Sequence, residues 1–163
     1  MSGPQTSSGA APGLDPTLQT RVVAVISLAH GLSHFFHLIL APLFPLLKEA
    51  FALSYSELGL LMTVFFVVSG VAQALSGFVV DRFGPFPVLL GSLGLFVLST
   101  VVLAMAPSYG VLMLGTSIAG LGNAAFHPVD YSILNARIDS SRLGRAYAVH
   151  GVCGSLGWAC APL

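Results

Sequence analysis

The sequence predicts an all-α membrane protein of four transmembrane helices plus most of a fifth. Three observations predict it. Of 163 residues, 55% are hydrophobic and 7% charged, against roughly 45–50% and 25% in a soluble domain. The apolar residues gather in long segments, and about 20 apolar residues of helix are enough to cross a bilayer. The few charges fall mostly between those segments. The formal net charge is zero, which excludes nucleic acid and any partner held by charge alone. The lipid bilayer is the expected partner of the outer surface.

Residues 1–20 are rich in Gly, Pro, Ser and Thr, lack an apolar period, and are expected to form a flexible cytoplasmic tail. The first span covers residues 22–47. It is longer than a secretory signal core, so it is expected to stay in the membrane. Pro42 removes the backbone bond to Leu38 and is expected to bend the outer end of this span. The second span covers about 56–80, with Ser56 as N-cap and Glu57 in the first turn. The third, about 87–106, carries no charge. The fourth, about 109–137, contains Pro128, which frees the carbonyl of Ala124 and is expected to kink the helix beside His127. The fifth, 144–163, is apolar to its last residue. Short links imply antiparallel neighbours in one bundle, residues 21–163.

Arg21, Arg82, Arg137, Arg142 and Arg145 fall on one side of this arrangement and Lys48 alone on the other. Basic residues favour the cytoplasmic side, so the N-terminus is expected there. Cys153 and Cys160 lie on one helical face but about 10.5 Å apart in rise, too far for a disulfide. They read as small apolar fillers.

Two faces stand out. At 100° per residue Ser27, His30, His34, His37 and Ala41 fall within an arc of about 80°. So do Thr116, Gly120, Asn123, His127 and Asp130 in the fourth span. A second-span line of Ser69, Gln73 and Ser76 runs beside Gly70 and Gly77, small residues that suit close helix contact. Polar groups at membrane depth normally face a bundle interior or a wet cavity. His30, His34, His37, Asn123 and His127 are therefore candidates for a substrate or proton pathway. The alternative is that Asn123 and His127 only bond to neighbouring helices. Asp130, nearer the arginine-rich end, is expected to pair with Arg82 or Arg137. His150, on one face with Gly154 and Gly157, either joins the lining or packs. No acidic residue interrupts the first span, so no metal and no cofactor is assigned, although a haem or metal site built from the histidines remains a rival reading.

Between the second and third spans lies Gly77-Phe-Val-Val-Asp81-Arg82-Phe-Gly84. It resembles the G-x-x-x-D-[RK]-x-G-[RK]-[RK] signature of the major facilitator superfamily, in the link where that family has it. Pro85 and Phe86 replace the two basic residues. Gly120 and Gly122 match the family's R-x-x-x-G-x-G pattern, with Thr116 at the arginine position, so no role of that arginine is carried over. Residues 157–162 resemble the G-x-x-x-G-P element of drug/proton antiporters, with Ala161 for the second glycine. Phe126-His127-Pro128 together with His150-Gly151 resembles the fosmidomycin-resistance-like branch.

The resemblance implies the N-terminal part of a twelve-helix bundle in which two halves enclose a substrate path. The implied function is secondary active transport of a small molecule, with proton-coupled efflux, in a bacterial inner membrane. Gly77, Asp81, Arg82, Gly84 and Asp130 would form its cytoplasmic gate. No catalytic residue is implied; a polytopic membrane enzyme is the other class. With the C-terminal half missing, the chain is expected to be a partial sequence or a truncated product, inactive alone.

Overall fold

A computed structural model describes residues 15–163. The described residues form seven α-helices: α1 (Pro16–Leu38), α2 (Phe44–Phe51), α3 (Tyr55–Phe83), α4 (Pro85–Ala104), α5 (Tyr109–Asn123), α6 (Phe126–Arg137) and α7 (Ser140–Cys160). Among the described residues, four stretches are long and apolar enough to cross a membrane: 16–51, 55–83, 85–104 and 109–137. Helix α7 adds 21 residues and carries Arg142 and Arg145 in its first turns. The protein is a multi-pass membrane protein.

Each boundary has a local cause. Pro16 occupies the first turn of α1, where a missing N–H is harmless. The helix therefore starts before the end of the expected tail; the rest of that tail, residues 1–14, lies outside the described residues. Pro42 sits in a short 3-10 turn, Ala41–Leu43, that separates α1 from α2. The N-cap of α3 is Ser54 rather than Ser56. Its hydroxyl accepts the Glu57 N–H at 3.2 Å, and Glu57 accepts the Ser54 N–H at 2.8 Å. This reciprocal box needs the serine three residues before the glutamate, which Ser56 is not. Helix α3 ends at Gly84 with φ of +83°, a conformation only glycine takes freely, and Pro85 opens α4 at once.

The break between α5 and α6 follows from Pro128. With no N–H at that position, the Ala124 carbonyl has no helical donor. The Ser76 hydroxyl on α3, whose one proton also reaches the Gln73 carbonyl at 2.8 Å, is shared with it at 3.2 Å. The helix resumes with Val129 N–H donating to Ala125 at 3.0 Å.

The most extensive packing joins α1 to α7, α4 to α5 and α3 to α5, with α6 touching α1, α3 and α4. Glycine sets the closest approaches. A methyl at Gly157 would overlap the Gly31 carbonyl, and one at Gly120 would lie 2.7 Å from the Phe65 carbonyl. At Gly70 and Gly77, where close contact was expected, nothing lies within 4 Å of such a methyl. The buried face of α3 is instead Leu58, Leu61, Phe65, Ser69, Ser76 and Val80. The core gathers Ile26, Phe65, Phe96, Phe126, Val129 and Leu134. Leu28 and Phe78, each 74% exposed, stand on the outside of the described bundle, a placement that suits lipid as the solvent. In that solvent apolar exposure is favourable and the costly groups are the polar ones.

Candidate functional site

Those polar groups converge between α1, α5, α6 and α7. The α1/α7 contact brings the histidine face of α1 against Gly154 and Gly157. A side chain at Gly154 would meet His30 and His34 atoms at 2.9 Å, so this glycine leaves room for two imidazoles. Ring centroids lie 4.3 Å apart for His30 and His34, 4.9 Å for His30 and His127, and 4.8 Å for His34 and His37. His150 stacks on His30 at 3.7 Å. It joins the lining.

One end of this cluster is a chain of hydrogen bonds with a fixed direction. The Trp158 indole N–H donates to Nδ1 of His37 at 3.1 Å. That nitrogen therefore carries a lone pair, and His37 is in its Nε2–H form. Its Nε2 donates to Oδ1 of Asn123 at 2.9 Å, and Asn123 Nδ2 donates to Oγ of Ser69 at 2.7 Å. Four helices, α7, α1, α5 and α3, are linked by three bonds.

The other end centres on Asp130, which is 0% exposed. Expected to meet an arginine, it meets histidines. His150 Nε2 is hydrogen-bonded to its Oδ2 at 3.0 Å, and His30 Nδ1 lies 3.3 Å from the same oxygen. Arg82 and Asp81 are exposed at the end of α3 and make no ion pair with any described residue. Asp130 thus belongs to the histidine cluster rather than to the loop pattern of Gly77, Asp81, Arg82 and Gly84. The physical reason is the break at Pro128, which starts a new helix whose buried face, Phe126, Val129, Asp130 and Leu134, turns toward the bundle.

A buried carboxylate needs compensating charge or several donors. Here His30 Nδ1 and Asp130 Oδ1 are both buried with no hydrogen-bond partner. Two sets of donors converge closely enough to hold a metal ion: His30, His34 and His127, and His30, Asp130 and His150. The acid that α1 lacks comes from α6. A cleft of about 450 Å³, lined by His30, Tyr131, Asn135, Tyr147, His150 and Gly151, lies beside the second set.

The five pathway candidates therefore fall in one connected region. Thr116 is buried but bonds to its own helix, donating to Leu112 at 2.8 Å. Trp158 and Tyr131 carried no periodic polar signal, and the sequence did not single them out. At the arginine-rich end, Gln19 and Asp139 are paired through 2.6 and 3.2 Å bonds, and Arg142 donates to the Pro16 carbonyl at 3.2 Å. These contacts tie the start of α1 to the start of α7.

Comparison with known proteins adds the following. The family model of the Major Facilitator Superfamily matches residues 26–163. The chain is similar to a fosmidomycin resistance protein of Escherichia coli (strain K12), 31% identical over 98% of this chain and 39% of that protein. It is also similar to an uncharacterized MFS-type transporter of Bacillus subtilis (strain 168), 29% identical over 87% of this chain and 34% of the relative. A multidrug resistance protein B homolog of Mycobacterium tuberculosis (strain ATCC 25618 / H37Rv) is 31% identical over 56% of this chain and 17% of its own length. The chain therefore spans well under half the length of these relatives.

Proposed function

The chain belongs to the major facilitator superfamily, and on that premise we propose that it forms part of a secondary active transporter of a small molecule, working by proton-coupled efflux. The observation that carries this reading is the polar column inside an otherwise apolar bundle. Nothing in the lipid-facing surface requires five imidazoles, an aspartate and an asparagine to face one another. Such groups at membrane depth mark pathways. His30, His34, His37, Asn123 and His127 are the proposed path-lining contacts. His127 is the most telling, because it lies in the first turn of α6, directly after the break that frees the Ala124 carbonyl from helical pairing, and is only partly buried. Gly77, Asp81, Arg82 and Gly84 are proposed as the inner gate, on the strength of the loop pattern. The resistances in the relatives' names, to fosmidomycin and to multiple drugs, suggest small organic solutes exported from a bacterial cell.

The test is efflux from cells expressing the whole protein, measured with a panel of labelled organic solutes. Efflux is expected to stop when a protonophore collapses the gradient. His127→Ala is expected to lose at least about tenfold in rate, on the scale of about 1.4 kcal/mol, with unchanged membrane expression. Wild-type efflux in that variant overturns the assignment of the path. Efflux indifferent to the protonophore overturns the coupling.

A further inference from the structure

We propose that His30, Asp130 and His150 form a binding site for a first-row transition-metal ion of the zinc class. The site shares the cluster of the transport reading, but the inference rests on donor geometry and not on transport.

The donors are two imidazole nitrogens and one carboxylate oxygen. That set suits zinc, cobalt or nickel, whereas magnesium and calcium prefer oxygen alone. All three donor atoms lie within 4.8 Å of one another. Around a tetrahedral zinc with bonds of about 2.0–2.1 Å, neighbouring ligand atoms stand about 3.3 Å apart. The separations found from Asp130 Oδ2 are 3.0 Å to His150 Nε2 and 3.3 Å to His30 Nδ1. The His30 and His150 rings stack at 3.7 Å, so an ion among these atoms requires the two imidazoles to rotate until both in-plane lone pairs face it.

Burial argues in the same direction. The three residues are 3%, 0% and 3% exposed, and the ion pairs of Asp130 among the described residues are with His30 and His150 alone. A proton shared between His150 and Asp130 satisfies that one bond. It leaves His30 Nδ1 facing a carboxylate without a hydrogen bond and Asp130 Oδ1 with no partner. A divalent ion takes up the His30 and His150 lone pairs and the carboxylate charge together. The neighbouring cleft, with Tyr131, Asn135 and Tyr147 on its walls, gives entry and room for a water as fourth ligand, the arrangement of an open three-residue zinc site.

The protein, purified in detergent without a histidine tag, is titrated with zinc chloride, desalted and assayed for metal by atomic emission. The expected result is one chelator-removable zinc per chain, and with cobalt(II) the visible absorption of a four-coordinate nitrogen–oxygen site. Asp130→Asn and His150→Asn are each expected to weaken zinc binding at least about tenfold. Replacing both Cys153 and Cys160 with serine is expected to change nothing, which excludes thiolate ligands. Less than stoichiometric zinc in the wild type, or unchanged affinity in both ligand variants, overturns the proposal. If Asp130→Asn does not fold, His150→Asn and the wild-type cobalt spectrum decide. A wild type without zinc whose His127→Ala variant still loses efflux leaves the transport reading standing.

Discussion

Replacing Trp158 with phenylalanine removes one N–H and keeps the ring that stacks on His34 at 4.5 Å. The Nδ1 of His37 then loses its donor while remaining inside the bundle. An unsatisfied buried acceptor costs about 1–3 kcal/mol, so the midpoint of thermal unfolding in detergent is expected to fall. An unchanged midpoint would mean that water replaces the indole and that this end of the cluster is wet. The residue scale is also where reading the sequence was least even. The histidines of α1 were legible because 100° per residue puts His30, His34 and His37 on one face whatever that face meets. Trp158 was not, because its role depends on α7 lying against α1. The partner of Asp130 was missed for a related reason: proximity along the chain favoured arginine, and packing across helices supplied imidazole.

At the scale of elements, glycine decides how near two helices come. Gly157 and Gly31 bring α1 against α7 closely enough that any side chain at 157 collides with backbone. Gly157→Val is expected to push α7 outward and cost about 1–3 kcal/mol, read as lower folded yield and a lower unfolding midpoint. The same change at Gly70, where nothing lies within 4 Å, is expected to leave this chain's stability unaltered. Equal effects at the two sites would contradict the observed packing. The sequence marks every glycine alike. Proline is more explicit: the loss of an N–H at Pro128 foretold a break, but not that Ser76 of α3 would take up the freed carbonyl.

At the scale of the molecule, the asymmetry of five arginines against one lysine carries a testable orientation. In a background lacking Cys153 and Cys160, a cysteine at Ser108 is expected to react with an impermeant maleimide from outside intact cells. One at Ser140, at the arginine-rich end, is expected to react only after permeabilisation. The reverse pattern would invert the protein in the membrane. The sequence alone determined the solvent, the helices and the inward polar faces, because helix period and hydrophobic length are local properties of a chain. Tertiary structure alone decided which polar groups meet: Asp130 with His30 and His150, Trp158 with His37, Ala124 with Ser76. Those pairings depend on the relative rotation and depth of helices far apart in the chain, and the glycine contacts that fix them can be recognised only once the helices are packed.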